Sequence, residues 1–312
     1  MTPHDFDIIC VGNAKIDTFL TLSDVNNHLR FIQESNELCI KFGEKITVEK
    51  AEILVGGNAA NVAVGVSRLG LKSGIIAEIG SDEFAQKIIN TLSKEKVDTS
   101  KVLQKEGQES SFSTIINFKG ERTIFSEHVK RSHDFNFENI TAKWVYLTSI
   151  GEDWIDAYNK TVDFAKNKKV KFAFNPGTLQ IAAGRKNIEN ALGITDILFV
   201  NKEEAEALLM IKDGGLMIND LLNKLKELGP KIVVITDGKN GSLAIDTKGN
   251  ISKKGIIETQ VVEKTGAGDA YSSGFLSAFI NGRSIADSMD LGTKNAASVI
   301  GKVGALAGLL YV

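Results

Sequence analysis

The run Lys264-Thr265-Gly266-Ala267-Gly268-Asp269-Ala270 sets an acid beside two glycines. An apolar stretch follows, Tyr271 to Ile280, with small residues at Ala270, Gly274 and Ala278. That spacing puts them on one helix face and lets the helix approach a neighbour closely. Gly266 and Gly268 then sit at the mouth of a buried helix. Backbone N–H groups there can converge on an anion with no Cβ in the way, and the helix dipole adds positive potential. A carboxylate in the same place would repel a phosphate. It makes sense if Asp269 takes a proton from an incoming hydroxyl while the amides around Gly266, Ala267 and Gly268 hold the charge growing on a transferred phosphoryl group. Without that chemistry Asp269 reads as a plain helix N-cap and the glycines as loop residues.

A second cluster, Gly56-Gly57-Asn58-Ala59-Ala60-Asn61-Val62-Ala63, opens another helix, with Gly70 and Gly80 downstream. Paired glycines at a helix start let backbone amides come close to a ligand. Asn61, on the first turn, offers a donor and an acceptor suited to a sugar hydroxyl. The same residues also make an ordinary glycine-rich cap with small residues for helix–sheet packing.

The elements that must position these clusters alternate. Strand-like runs at Ile8 to Val11, Ile75 to Ile79, Trp144 to Leu147, Phe172 to Phe174, Ile197 to Val200 and Ile232 to Ile235 are separated by helical patterns. The helices fall at Asn58 to Leu69, from Asp82 to about Lys96, and over 153–168, 202–210 and 217–228. This order predicts a mostly parallel sheet with helices on both faces. Two stretches break it. Residues 15–50 carry scattered β-like pieces, and 110–128 read as two short strands, Phe112 to Phe118 and Thr123 to Ser126, turned by Lys119-Gly120-Glu121. Together they predict a small β-sheet lid, with irregular surface insertions as the alternative.

The C-terminal cluster resembles the Asp-Thr-x-Gly-Ala-Gly-Asp signature of the PfkB, or ribokinase-like, carbohydrate kinase family. The Gly56-to-Asn61 cluster resembles that family's Gly-Gly-x-x-x-Asn signature. The order and the separation of about 200 residues match, and the resemblance spans essentially the whole chain. It implies a three-layer αβα ribokinase-like fold. The large α/β part would comprise 1–14, 51–107 and 129–312, and the lid 15–50 and 108–128. It implies an ATP- and magnesium-dependent kinase that phosphorylates a hydroxyl, a primary CH2OH, of a sugar such as ribose or fructose. Asp269 would be the base, and Gly266, Ala267 and Gly268 would line the anion hole. A nucleoside kinase of the same family is the alternative. A non-catalytic sugar- or nucleotide-binding regulator is the alternative from another class, although the base and the glycines are present. Asn13 and Asp17, in Gly12-Asn13-Ala14-Lys15-Ile16-Asp17, would bind substrate with Gly56, Gly57 and Asn61, Asp17 by accepting vicinal hydroxyls. Asn201 and Glu204 resemble the family's Asn-x-x-Glu and would order phosphate and magnesium, Glu204 through water. Unaided, they read as a capping box. Thr236, Gly238 and Gly241 resemble the nucleotide-binding turn, with a hairpin turn as the plain reading. Asn295 would flank the adenine, and Gly304-Ala305 match a C-terminal loop. Glu263 and Lys264 stand where the signature has Asp and Thr, and the Asp helps hold a monovalent cation in many members. That departure leaves potassium open.

The bulk numbers exclude other classes. The chain has 312 residues, is 43% hydrophobic, and carries 37 basic against 39 acidic residues. That is enough for a large core and gives no charge bias toward nucleic acid or anionic membrane. The first strand is not followed by Gly-x-Gly-x-x-Gly, and no Gly-x-x-x-x-Gly-Lys-Ser/Thr occurs, which excludes a dinucleotide-binding dehydrogenase and a P-loop kinase. The opening residues lack a signal-peptide pattern, and no apolar run reaches membrane length. With only Cys10 and Cys39, the expectation is a cytoplasmic protein with two buried thiols. An isolated β-lid has exposed edges and a coreless face, so a homodimer through the lids is expected.

Overall fold

The computed structural model describes residues 5–22, 28–127, 129–211 and 215–312. The start read for a signal peptide (1–4) and parts of the two lid stretches (23–27 and 128) lie outside the described residues.

The chain opens with β1 (Phe6–Val11) and enters β2 (Lys15–Thr21); β3 (Lys50–Gly56) leads into α1 (Asn58–Arg68). β4 (Ser73–Ile76) and α2 (Glu83–Lys94) follow, then the pair β5 (Phe112–Phe118) and β6 (Glu121–Ser126). The alternation resumes with β7 (Ala142–Leu147), α3 (Ile155–Lys168), β8 (Lys171–Phe174), β9 (Ile197–Asn201), α4 (Lys202–Leu208), α5 (Ile218–Glu227) and β10 (Ile232–Thr236). It ends with β11 (Ser242–Ile245), β12 (Ile251–Lys254), α6 (Ala267–Ile280) and α7 (Ile285–Ile300).

The eight-stranded main sheet runs β12-β11-β10-β9-β8-β7-β1-β4. It is parallel from β4 to β10, and β11 and β12 close one edge as antiparallel strands. Side chains alternate across it. Ile8 and Cys10 join the core under α1, α6 and α7, while Ile9 and Val11 join the core under α3, α4 and α5. Two cores on two faces make three layers, as expected.

The second sheet is small and four-stranded, in the order β6-β5-β2-β3. A hairpin of Leu29–Ile32 and Glu37–Ile40 packs on one end of it, around Leu22, Leu29 and Phe118. β5 and β6 are joined by Lys119 and Gly120 alone, both at positive φ (52° and 78°), the geometry of a two-residue hairpin turn. Glu121, read from sequence as part of the turn, pairs with Phe118 inside the ladder.

Three expectations change. Residues 51–56, assigned to the large part, form most of β3 and hydrogen-bond to β2 in the small sheet. The single strand expected from Ile75 to Ile79 breaks at Ala77, whose carbonyl accepts from Leu103 N at 2.8 Å, and Glu78–Ile79 pair with Leu103–Gln104 instead. Both cysteines are free thiols, but only Cys10 is buried; Cys39, on the outer hairpin, is partly exposed. Among the described residues, no helix is long and apolar enough to cross a membrane.

Candidate active site

In a parallel sheet ligands bind at the carboxyl ends of the strands. The loops leaving β1 and β7 there carry Asn13 and Ser149, and β9 and β10 end there on Asn201 and Thr236. α6 begins beside them. Its N-cap Gly266 has φ 80°, and a Cβ on it would lie 2.4 Å from Ala305 Cβ, so the Gly304-Ala305 loop leaves space only for glycine. Among the described residues no side chain caps this helix or accepts from the amides of Gly268 and Asp269; Ala267 N turns back to the Lys264 carbonyl at 3.3 Å. The small-residue row seats α6 against α7: a Cβ on Gly274 would sit 2.7 Å from Leu291 O.

Asp269 is 6% exposed and is gripped by two amides. Asn61 Nδ2 donates to Oδ2 at 2.8 Å and Asn58 Nδ2 to Oδ1 at 3.2 Å. Burial pushes its carboxyl up to about 6 against the pull of Asn61 and Asn58; Asp17 adds to the rise and Lys15 opposes it. The two signatures therefore meet through side-chain contacts. Asn61 gives one of its two N–H donors to Asp269, and its Oδ1 is buried with no hydrogen-bond partner among the described residues.

Asp17 reaches the same cleft from the small sheet. A Cβ on Gly56 would fall 1.9 Å from Asp17 Oδ2, so the carboxylate lies over the glycine backbone. Burial raises Asp17 to about 6, opposed by Lys15 and by a hydrogen bond from Ser113. Gly57 packs against the Asn13 carbonyl, where a Cβ would come within 2.5 Å. Asn13 Nδ2 donates to Ser149 Oγ at 3.4 Å, and Ser149 Oγ donates to Asn58 Oδ1 at 2.8 Å. A chain of polar side chains thus runs from Asn13 through Ser149 and Asn58 to Asp269. Sequence reasoning gave Asn58 no role and missed Ser149 and Lys15. The i, i+3 spacing of Asn58 and Asn61 on one helix face was the available signal for the first; Ser149 gave none.

Asn201 and Glu204 form a full capping box. Asn201 Oδ1 accepts from Glu204 N at 2.8 Å, and Glu204 Oε2 accepts from Asn201 N at 2.9 Å. Burial lifts Glu204 to about 7, and Asp269 contributes to that rise. Thr236, Gly238 and Gly241 lie in the hairpin between β10 and β11, where Gly241 passes so close to Lys254 that a Cβ would be 2.1 Å from its carbonyl oxygen. Asn295 corrects an expectation. It is fully buried, donates to Ala270 O (2.8 Å) and Ser273 Oγ (3.1 Å), and accepts from Leu310 N (2.9 Å). Its side chain ties α7 to α6 and to the C-terminal segment and faces no ligand space. The outer side of the same helix, at Lys294, Ala297 and Ser298, instead lines an open pocket of about 400 Å³ with Ile257 and Thr259.

The loop before α6 also touches the small sheet. Lys264 pairs with Glu121, Asn117 Nδ2 donates to Val262 O at 3.3 Å, and Gly120 lies against the Val261 carbonyl. Glu263 is buried; its Oε1 accepts from Thr265 N (2.7 Å) and Thr265 Oγ1 (2.6 Å).

Two signatures joined at one carboxylate frame the comparison with known proteins. The pfkB family carbohydrate kinase model matches residues 18–310. The chain belongs to the PfkB family. It is thus a carbohydrate kinase, a phosphotransferase with an alcohol group as acceptor. Similar proteins include the 5-dehydro-2-deoxygluconokinase of Bacillus velezensis, 26% identical with 96% of this chain and 89% of that protein covered. The nucleoside kinase of Methanothermobacter thermautotrophicus is 25% identical, covering 89% and 84%. Arabidopsis thaliana ribokinase, solved with ribose and ATP, shares the PfkB fold with a TM-score of 0.79 at 20% identity, covering 100% of this chain and 96% of that one.

Proposed function

We propose that this kinase transfers the γ-phosphate of ATP to a primary CH2OH of a sugar, a pentose or hexose of the ribose or fructose kind, with Asp269 as the base. The observation that carries this reading is the Asp269 carboxylate, buried yet held by two amide donors at the uncapped start of α6. Asn61 and Asn58 keep it ionised and leave it free to accept the hydroxyl proton. The amides of Gly268 and Asp269 face the charge that moves onto the phosphoryl group. Asp17 accepts the acceptor's hydroxyls from the small sheet.

Thr236, Gly238 and Gly241 receive the nucleotide, and the pocket of about 400 Å³ beside Lys294 and Ile257 suits its base. Among the described residues, no three His, Cys, Asp or Glu side chains gather as a metal cluster. That suits a magnesium ion carried mainly by phosphates and water, with Glu204 acting through a water molecule. Magnesium would draw charge from the transferred group. Glu263 Oε2 is buried without a hydrogen-bond partner among the described residues, the kind of oxygen a potassium ion takes up.

The phenylalanines that sequence offered as a nucleobase wall do not serve a nucleoside here. Phe112 pairs with Ile16 across the small sheet, while Asp17 pairs with Ser113. Phe112 and Phe118 therefore face away from Asp17, and Phe31 packs on Phe118 with ring centroids 5.8 Å apart. No phenylalanine of that set walls the Asp17 side. Replacing Asp269 by Asn should cut kcat by at least ~10²-fold and leave nucleotide affinity nearly unchanged. Near-normal turnover would remove Asp269 from the role of base. No turnover of any sugar or nucleoside by the unmodified protein would favour a binding regulator.

A further inference from the structure

Lys15 is the feature that the proposed reaction leaves unused. It lies two residues before Asp17 on β2, on the same face, directly opposite Gly56. Its Nζ donates to Ser113 Oγ at 2.7 Å and to Ser126 Oγ at 3.1 Å. Those serines stand opposite one another on β5 and β6, in line with Asp17. Among the described residues, no carboxylate comes within 4.0 Å of the ammonium. Asp17 accepts a hydrogen bond from Ser113, and Asp17 and Asp269 act on Lys15 only at longer range.

A half-buried ammonium is ordinarily paired with a carboxylate, because taking the charge out of water is costly. Here two neutral hydroxyls take two of its three N–H donors, and the charge has no direct counter-ion. A site that binds only neutral polyols gains little from such a cation, since serine or asparagine would supply the same donors without the desolvation. An acceptor oxyanion would complete it with a charge-assisted hydrogen bond.

We propose that Lys15, braced by Ser113 and Ser126, receives an anionic group of the acceptor, so that the substrate is a sugar bearing a carboxylate or a phosphate ester. This rests on the sugar-kinase reading above. The anionic group lies in the same cleft as the hydroxyl delivered to Asp269, on the side formed by the small sheet.

The test uses matched pairs, gluconate against glucose and fructose 6-phosphate against fructose, in turnover with ATP and magnesium and in calorimetric titration. In at least one pair the anionic member should be favoured by about 10-fold or more, the scale of one charge-assisted hydrogen bond. The pair that responds distinguishes carboxylate from phosphate ester. Lys15→Gln should weaken that anionic member about 10-fold while changing its neutral partner by less than about 2-fold, and Lys15→Arg should restore part of the loss. Equal or better use of the neutral members overturns the proposal. So does a Lys15→Gln effect equal on both members of a pair, which would make Lys15 a support for Asp17. Failure of both anionic compounds to bind also overturns it. Turnover confined to neutral sugars sinks the anionic acceptor but keeps the kinase, whereas binding of an anionic member with no phosphate transfer to any acceptor sinks the kinase reading and keeps the cation site.

Discussion

Asp269, Asp17 and Glu204 share one electrostatic problem. Each carboxyl is buried, and each is lifted, to about 6, about 6 and about 7. A base works ionised, so kcat/KM should fall as the pH drops through that range and level off above it. Amide donors favour the ionised form of Asp269, so removing one raises its pKa. Asn61→Ala should therefore shift the acid limb of the pH profile to higher pH, with the rate at high pH much less affected. A limb that stays in place would show that Asn61 does not set the ionisation of Asp269. Asp269, Gly266 and Gly268 were legible as candidates because their proposed chemistry lies within one turn of chain. The sequence was silent on Ser149, whose partner Asn58 is 91 residues away. It was silent too on the bond from Asn61 to Asp269, 208 residues away, because a side chain's donors are allotted by the neighbours the fold brings, and no local pattern records them.

Elements were easier to read than their internal contacts. Strand–helix alternation follows from hydrophobic period, and the period survives packing. The Asp82 cap and the Asn201–Glu204 capping box sit where local spacing put them. The break at Ala77 was hidden because Ile75 to Ile79 holds no glycine or proline to mark it, and only the pairing with Leu103 divides it. Asn295 shows the opposite failure, a position on the right helix facing the wrong way. As an interior tie between α6, α7 and the C-terminal segment, it should matter to stability and not to nucleotide contact. Asn295→Ala should cost about 2–3 kcal/mol, with a lower Tm, because the amide of Leu310 and the carbonyl of Ala270 lose a buried partner. The KM for ATP should stay within about 2-fold, because no contact to nucleotide is lost; a large rise in that KM at normal stability would return Asn295 to the nucleotide site.

At the scale of the whole molecule, the small sheet is the part that cannot stand alone. Its face turned away from Asp17 exposes Ile53, Phe112 and Phe125, at 45%, 38% and 59%. Covering that face with a second copy is the proposed route to a lid-to-lid homodimer. Phe125→Glu should then shift light scattering from dimer to monomer at micromolar concentration without lowering helix content, and a wild-type monomer under those conditions would end the idea. The contact between the small sheet's hairpin and the loop entering α6, through Glu121 with Lys264 and Asn117 with Val262, has a thermodynamic meaning of its own. The hairpin belongs to the sheet that presents Asp17, and the loop belongs to the helix proposed to hold the phosphoryl group. Two sites that share a contact are coupled, and coupling free energy is reciprocal. Whatever factor a non-hydrolysable ATP analogue adds to the affinity for acceptor, the acceptor must return to the analogue. Glu121→Lys should bring both factors toward one together, so that the cooperativity between two chemically unlike ligands is read out at a surface pair that touches neither.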